Sequence, residues 1–190
     1  MREIKLNNLT DIEIIEKVKS GEYDFYEELI NRHRDYCMRH VWKMVRDFNQ
    51  SEELVQDTFV KAYYSLSKYK PTGKFSSWLI KIASNLCLDY FKKRKKYTNV
   101  EYIESIPFNS IDLDQSNPLN ITIKTEFITW VNRELDALPF LHRNCLLLRC
   151  FLGLSYNEIS EIVGIPVGTV KSRIFETRKK LREKVNKYEM

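Results

Sequence analysis

The sequence predicts an all-α fold made of two small helical bodies joined by an irregular acidic linker. Its 190 residues include only five Gly and five Pro, and helix-forming residues dominate. Apolar residues recur at helical spacing in both halves, whereas the middle of the chain carries Pro, Asn, Ser and mainly acidic charge. We therefore expect one body in residues 1–97, a linker in 98–124 and a second body in 125–190.

The first body is expected to begin with two helices. Thr10 and Glu13 have the spacing of a capping box, in which each side chain accepts a hydrogen bond from a backbone N–H at the helix start. The helix that they open is expected to end near Gly21. A second helical region is expected over residues 25–48.

Two further helices complete the first body. Ser51 is expected to cap the third helix, with two acidic residues in its first turn, where the helix dipole favours negative charge. A loop at 71–73, which contains Pro and Gly, interrupts the apolar pattern. The fourth helix is expected to start near Phe75 and to end in an uninterrupted basic run at 92–96.

The second body is expected to end in two helices joined by a sharp corner. A helix that begins around Thr125 precedes another that starts at Pro139. Ser155 and Glu158 have the spacing of a second capping box. In the corner at 164–166, Gly suits the left-handed end of one helix and Pro suits the first turn of the next.

The last helix separates an apolar face from a basic one. Its apolar stripe comprises Val167, Val170, Ile174, Leu181 and Val185. The opposite face carries Gly168, Ser172, Phe175 and Lys179. Residues 171–187 include eight basic side chains and two acidic ones, a surplus that suits phosphate neutralisation. This pattern is typical of a recognition helix in a major groove, and a helical hairpin with a solvated basic face is the alternative.

The composition argues against several other classes of protein. No apolar run approaches the roughly 20 residues that span a bilayer, and the N-terminal residues lack the apolar core of a signal peptide. We therefore expect a cytoplasmic protein without membrane insertion. The sequence has no phosphate-binding Gly loop, no nucleophile elbow and only three His, so we expect neither enzymatic activity nor a cofactor.

A metal site is an open alternative on one helix of the first body. His33, Cys37 and His40 lie at i, i+4 and i+7, and therefore on one helix face. No acidic residue on that face completes such a site, and Cys37 is expected to pack as a small hydrophobic residue. No metal ligand is assigned.

Four segments of the chain, in this order, resemble the extracytoplasmic-function (ECF) group of sigma factors, within the sigma-70 family. They cover residues 52–63, 75–85, 135–139 and 164–173, and the resemblance extends over nearly the whole chain. It implies a sigma-2 domain in 1–97 and a sigma-4 domain in 125–190. The family has no catalytic chemistry of its own. It binds core RNA polymerase, directs it to promoters and helps to melt the −10 element.

The resemblance also implies a set of partners. The polymerase would be bound at its clamp coiled coil and its flap, promoter DNA would be bound at the −10 and −35 elements, and an anti-sigma factor would hold the protein inactive. The acidic linker would occupy the polymerase channel that RNA later follows. A stand-alone helix-turn-helix transcriptional regulator is the alternative function.

The same resemblance assigns residues to each surface. Contacts with core polymerase would fall on Glu53, Leu54, Gln56, Asp57 and Phe59. Contacts with −10 DNA would fall on Tyr69, Lys74, Phe75, Trp78, Lys81, Asn85, Lys92, Lys93 and Arg94. In the helix-turn-helix at 155–178, contacts with −35 DNA would fall on Val167, Gly168, Lys171, Ser172, Arg173, Phe175 and Arg178.

Some of these positions have a second interpretation. A place in the core is the alternative for Leu54, Val55, Phe59 and Trp78. Phe175 is informative, because an outward aromatic ring is costly unless it meets a partner such as a thymine methyl group. Glu176 is acidic where many relatives carry Arg, and it either accepts a hydrogen bond from a cytosine amino group or points away from DNA.

Overall fold

The computed structural model describes residues 9–71, 73–97 and 118–188. Within these ranges the chain forms eight α-helices and no β-strand, which confirms the all-α prediction. The helices are α1 (Asp11–Lys19), α2 (Tyr26–Val45), α3 (Phe48–Ser65), α4 (Phe75–Tyr97), α5 (Pro118–Asp136), α6 (Phe140–Cys150), α7 (Tyr156–Val163) and α8 (Val167–Tyr188). Residues 98–117 of the predicted linker lie outside the described residues. Its last residues, 118–124, belong to α5.

The capping box predicted at the start of the first helix is present. The N–H of Glu13 donates to Thr10 Oγ1 at 3.3 Å, and the N–H of Thr10 donates to the Glu13 carboxylate at 2.7 Å. These hydrogen bonds lower the pKa of the Glu13 carboxyl. Because each side chain satisfies an N–H that has no partner within the helix, α1 begins at Asp11.

The start that we predicted for the third helix is wrong. α3 begins at Phe48, and its capping side chain is Asp47, whose carboxylate accepts the N–H of Gln50 at 3.0 Å. Ser51 is buried within the first turn, where its hydroxyl donates to the carbonyl oxygen of Asp47 at 2.6 Å. Arg46, in the left-handed conformation with a φ of 59°, turns the chain sharply after α2. Asp47 therefore caps α3, and Ser51 lies inside the helix.

Helices α1 to α4 pack around one apolar core. Several of its side chains have no solvent exposure: Ile14, Leu29, Val41, Leu79 and Ala83. The hydroxyl of Tyr26 donates to the carbonyl oxygen of Phe59 at 2.6 Å and so joins α2 to α3. This core holds the outer faces of α3 and α4 in fixed positions.

Helices α5 to α8 form the second body. α5 begins at Pro118, earlier than the start near Thr125 that we predicted, and Pro suits the first turn of a helix. α6 begins at Phe140, directly after Pro139, close to the start that we expected. The core of this body includes the fully buried side chains of Leu148, Ile159 and Val170.

The two bodies pack against each other, which the sequence did not predict. Ile80 of α4 has no solvent exposure and belongs to the apolar cluster of the second body. Leu147 of α6 belongs in turn to the apolar cluster of the first. The rings of Phe91 on α4 and Phe140 on α6 have centroids 5.8 Å apart.

The side chains considered for a metal site have other surroundings. His33 Nε2 lies 2.8 Å from the carboxylate of Asp11, and His40 Nε2 lies 3.0 Å from the hydroxyl of Ser84. Cys37 is buried in the first core, where burial raises the pKa of its thiol to about 12. Among the residues that the structure describes, no three His, Cys, Asp or Glu side chains are grouped as a metal ion requires.

Within the described ranges, every helix is either too short or too polar to cross a bilayer.

Candidate nucleic-acid and protein interfaces

Local hydrogen bonds build the corner between α7 and α8. The N–H of Glu158 donates to Ser155 Oγ at 3.2 Å, and the N–H of Ser155 donates to the Glu158 carboxylate at 2.8 Å, so the second predicted capping box is present. Gly164 ends α7 with a φ of 72°, a left-handed conformation that a side chain disfavours. The hydroxyl of Ser160 donates to the carbonyl oxygen of Ile165 at 2.5 Å. The conformation of Gly164 and the hydrogen bond of Ser160, both at the end of α7, set the direction in which α8 leaves it.

α8 buries one face and exposes the other, as predicted. Val170 and Ile174 face the core of the second body, with 0% and 2% of their surface exposed. The ring of Phe175 is 69% exposed, and Lys171 and Ser172 are exposed beside it. An aromatic ring on a basic surface offers apolar contact area to a partner.

The first turn of α8 leaves room for the close approach of a partner. Gly168 is exposed, and a Cβ added there would meet no neighbouring residue within 4 Å. The packing of the chain therefore does not itself require Gly at this position. With the small Ser172 one turn further on, Gly168 leaves the helix backbone accessible.

Two residues predicted to contact −35 DNA do not lie on the exposed face. Val167 is half-buried, and Arg173 is half-buried with one guanidinium nitrogen fully enclosed. Arg173 faces α6, where burial lowers the pKa of His142 and the charge of Arg173 lowers it further. Glu176 is exposed near the same histidine, and its carboxylate opposes that shift. Both side chains lie at the edge of α8 that borders α6, because they flank the buried stripe.

We refer to six exposed residues on the outer side of this helix as the α8 ridge. The α8 ridge comprises Gly168, Lys171, Ser172, Phe175, Arg178 and Lys179. Arg178 also donates to Cys150 Sγ at 3.5 Å. Further along the helix, Lys184 pairs with Glu134 of α5, so not all of the positive charge of α8 is directed outwards.

A groove of about 600 Å³ lies between α2 and α3 in the first body. Its apolar lining includes Ile30, Met38, Val55, Phe59, Val60 and Tyr64. Val60 is 47% exposed and Tyr64 is 78% exposed. The sequence analysis did not assign these two residues, because on the outer face of α3 it considered polar residues only. Val60 and Tyr64 lie four and eight residues after Gln56, and therefore on the same helix face as Gln56. Two apolar residues on this otherwise polar face are the sequence signal that could have revealed the groove.

The residues assigned to core polymerase divide between the surface and the core. Glu53, Gln56 and Asp57 are exposed on α3, and Gln56 lines the groove. Leu54 is 6% exposed and packs in the core of the first body, as the alternative interpretation of this residue expects. Phe59 is 5% exposed, belongs to the same core and also lines the groove.

The aromatic residues assigned to −10 DNA form a largely internal cluster. The centroid of the Tyr69 ring lies 5.8 Å from that of Phe75 and 5.1 Å from that of Trp78. Tyr69 and Phe75 are only 5% and 3% exposed, so neither offers a ring face to a base in this structure. The Tyr69 hydroxyl donates to the carbonyl oxygen of Gly73 at 3.0 Å and thereby holds the loop before α4. Trp78 is half-buried and stays partly accessible.

The outer side of α4 carries basic and amide side chains, which we call the α4 strip. The α4 strip comprises Lys81, Asn85, Lys92 and Lys93, all of which are exposed. Lys81, Asn85 and Lys92 are spaced at i, i+4 and i+11, and therefore share one side of the helix. This side faces away from the core of the first body.

Two other residues assigned to −10 DNA have partners within the chain. Arg94 is half-buried, and its guanidinium donates to the hydroxyl of Tyr90 at 3.2 Å. The ammonium of Lys74, at the start of α4, lies 3.5 Å from the carboxylate of Glu158 in α7. The second of these pairs joins the two bodies.

A helix-turn-helix with an exposed basic ridge, joined to a second helical body that carries a groove, is the architecture of a two-part DNA-binding transcription factor. The family described as Sigma-70 region 2 matches residues 29–97, and that described as Sigma-70, region 4 matches residues 128–181. The chain is 30% identical over 176 residues to the ECF RNA polymerase sigma factor SigW of Bacillus subtilis, which covers 90% of this chain and 94% of the relative. It is 34% identical over 182 residues to the ECF RNA polymerase sigma-E factor of Escherichia coli, covering 93% and 95%. The chain therefore belongs to the ECF sigma factors of the sigma-70 family, which are alternative sigma factors that act in transcription initiation and form a non-catalytic class.

Two solved structures share the fold. One is CnrH in complex with the cytosolic domain of CnrY, with a TM-score of 0.66 and 21% identity, covering 91% of this chain and 95% of that one. The other is the sigma factor RpoE in complex with the anti-sigma factor NepR from Bartonella quintana, with a TM-score of 0.66 and 22% identity, covering 85% and 96%.

Proposed function

We propose that this sigma factor binds core RNA polymerase through the groove of its first body and reads two promoter elements with separate surfaces of its two bodies. The observation that carries the proposal is the α8 ridge, where Lys171, Ser172 and Phe175 project from a helix whose other face is buried. This side of the helix is exposed to solvent. It is therefore available to enter a groove of DNA.

The α8 ridge suits duplex DNA at the −35 element. The ring of Phe175 suits contact with a thymine methyl group, and Lys171 and Ser172 suit hydrogen bonds to base edges. Arg178 and Lys179 suit phosphate oxygens, and such contacts position a protein without reading the sequence. Arg173 and Glu176 act at the border with α6 instead of at the bases.

The α4 strip suits the melted −10 element. Lys81, Lys92 and Lys93 place positive charge along the path of a single-stranded backbone. The amide of Asn85 both donates and accepts hydrogen bonds, so it can read a base edge. Trp78 supplies the accessible ring for base stacking, whereas Tyr69 and Phe75 support it from beneath.

The groove between α2 and α3 suits a helix of the polymerase clamp coiled coil. Val60 and Tyr64 provide exposed apolar surface in which a partner side chain can be anchored. The acidic residues Glu53 and Asp57 lie exposed on α3 and would steer a basic partner towards it. The flap of the polymerase would contact the second body.

The domains, the cellular location and a regulatory partner complete the proposal. We propose that residues 1–97 form the sigma-2 domain, that residues 98–117 form the linker in the RNA channel, and that the sigma-4 domain begins with α5 at Pro118 instead of at the predicted boundary of 125. The protein acts in the cytoplasm, where polymerase and chromosome are found, and is not an enzyme. A protein of the same fold is found in complex with an anti-sigma factor, and we assign such a regulatory partner to this chain.

The test is transcription of chromosomal DNA in vitro by core polymerase with and without this chain, followed by mapping of RNA 5′ ends. We expect a discrete set of start sites only when the chain is present. A stand-alone regulator would instead act only when another sigma factor is added. Core enzyme that starts at the same positions with and without the chain would refute the proposal.

A further inference from the structure

Helix α1 contacts the loop before α4 from its last residue. The ammonium of Lys19 donates to the carbonyl oxygen of Tyr69 at 3.1 Å. Glu16, one turn earlier on α1, lies 3.6 Å from the same ammonium and keeps it near the end of the helix. The backbone of the loop is therefore attached to α1 at Tyr69.

The first residue of α1 reaches the same region through a histidine. His33 Nε2 lies 2.8 Å from the Asp11 carboxylate and is the donor, because an ionised carboxylate only accepts hydrogen bonds. The centroid of the His33 ring lies 5.2 Å from that of Phe75. Burial raises the pKa of the Tyr69 hydroxyl, and the nearby negative charge of Asp11 raises it further. Both ends of α1 are thus linked to the aromatic cluster that precedes and begins α4.

Trp78 packs against the two rings that these links reach. The centroid of its ring lies 5.1 Å from that of Tyr69 and 5.6 Å from that of Phe75. Both supporting rings are almost fully buried, whereas Trp78 is half-buried. The position of the accessible ring is therefore set by the two buried ones.

Apolar packing alone accounts for the place of α1 in the first body. Its buried face consists of Ile14, Ile15 and Val18, which are at most 4% exposed and contribute far more than one hydrogen bond does. The polar links add a cost, because the side chains of Lys19 and His33 are only 25% and 13% exposed and have lost much of their water. Their geometry therefore points to a role in orienting the loop and its rings.

We infer that Lys19 and His33 are positioning residues for the binding of −10 DNA, which fix Tyr69 and Phe75 and thereby present the ring of Trp78 for base stacking. The inference rests on the proposed role of Trp78, although the link from α1 to Trp78 can be measured without DNA. Without the two links, the loop and the ring would have to be ordered when DNA binds, and such ordering weakens binding. From the usual cost of immobilising a side chain, we expect a loss of affinity of about two- to tenfold for each residue.

The first measurement follows Trp78 in the free, full-length chain. The sequence contains three Trp, so Trp42→Phe and Trp130→Phe leave Trp78 as the sole tryptophan, and each substitution keeps an aromatic ring. Quenching of its fluorescence by acrylamide reports how freely a small molecule reaches the ring. We expect Lys19→Met and His33→Gln to raise the quenching constant, because each releases one of the supporting rings.

The variants separate the links from the loss of charge. Lys19→Met keeps the aliphatic stem and removes the donor, whereas Lys19→Arg supplies a donor again and is expected to behave as the wild type. His33→Gln keeps a donor for the Asp11 carboxylate but removes the aromatic ring. Lys17→Met is the matched control on the same helix, since it removes the same charge and Lys17 pairs with Glu22 instead of the loop.

The second measurement is the affinity for DNA of each variant in complex with core polymerase, with Trp42 and Trp130 intact. One probe is a single-stranded oligonucleotide that carries the −10 element of a mapped promoter, and the other is a duplex that carries the −35 element. We expect Lys19→Met and His33→Gln to weaken binding of the −10 strand only, because the α8 ridge lies in the other body. An equal loss for both probes would mean a general structural defect and would overturn the inference.

The other outcomes separate the inference from the proposed function. Unchanged quenching in both Lys19→Met and His33→Gln would overturn the inference, and so would an equal effect of Lys17→Met. Raised quenching with wild-type affinity for the −10 strand would show that the position of Trp78 does not matter for binding, and would also overturn it. If the wild-type complex itself does not bind the −10 strand, the proposed function fails. Raised quenching in the two variants would then still support the link from α1 to Trp78.

Discussion

Replacing Phe175 with Ala is expected to weaken binding to the −35 element without destabilising the protein. The ring projects from the α8 ridge, and the chain itself covers only a minor part of it. Its removal therefore takes away surface that DNA would cover and leaves the core of the second body unchanged.

The size of the effect follows from the exposed area. A Phe side chain presents roughly 200 Å², and 69% of this residue is exposed, which leaves roughly 140 Å² for contact with DNA. If the DNA covers half of that area, about 70 Å² at about 25 cal/mol per Å² contributes about 2 kcal/mol. We therefore expect binding to weaken about thirtyfold.

Ile174→Ala is the matched control on the same helix. Ile174 is 2% exposed and packs in the core of the second body, so its truncation is expected to lower the free energy of unfolding by about 2–5 kcal/mol. Phe175→Ala is expected to change that free energy by less than about 0.5 kcal/mol. The two neighbours thus separate a binding role from a packing role.

The assay is fluorescence anisotropy of a duplex that carries the mapped −35 element, titrated with core polymerase and sigma factor together, beside urea unfolding of the free variants. Weakened binding with unchanged unfolding is the expected result for Phe175→Ala. Wild-type affinity for the −35 duplex in this variant would refute the assignment of the α8 ridge to DNA.

Three further predictions concern the first body. Val60→Glu places a charge in the groove between α2 and α3 and should weaken binding to core polymerase at least about tenfold in co-elution, because a charge that loses water without a partner is costly. Lys61→Glu, which adds the same side chain at an exposed neighbouring position, is the control. An equal loss of binding in both variants would contradict a role for the groove. Replacing Lys92 and Lys93 with Gln should reduce the slope of log affinity against log salt by about 0.7–0.9 per lost phosphate contact, and a shift in base preference with unchanged slope would mean that these residues read bases. Burial lowers the pKa of His40 to about 4, so the unfolded chain binds a proton below about pH 6.5 that the folded chain binds only near pH 4. Lowering the pH from 7 to 5 should therefore reduce the free energy of unfolding by about 2 kcal/mol through His40. The reduction should be smaller in His40→Gln. An equal dependence of the free energy of unfolding on pH in both proteins would mean that other groups cause it.

Features that depend on neighbouring residues were predicted well from the sequence. Both capping boxes, at Thr10 and Ser155, and the left-handed end of α7 at Gly164 are where we expected them. The starts of α3 and α5 are exceptions, and at the start of α3 two good capping residues lie close together. Asp47 and Ser51 compete for the same position, and the turn at Arg46 decides between them.

Features that depend on distant parts of the chain were predicted less well. The family resemblance assigns Tyr69 and Phe75 to −10 DNA, but neither it nor helical spacing shows that Trp78 and the loop before α4 enclose their rings. The groove needs α2 beside α3, which sequence spacing alone does not reveal. The burial of Ile80 against another body likewise has no local signal, because an apolar residue on α4 is expected in either core.

The separation of promoter reading between two bodies can be tested by changing the spacing of the two elements. On a mapped promoter, an insertion of five base pairs rotates one element by about half a turn of the duplex relative to the other, since one turn takes about 10.5 base pairs. Transcription in vitro by core polymerase with this sigma factor should fall to the background level, although each element is intact. Undiminished initiation from the promoter that carries the insertion would show that one surface alone selects the start site. This result would contradict the claim that the two bodies each read one element.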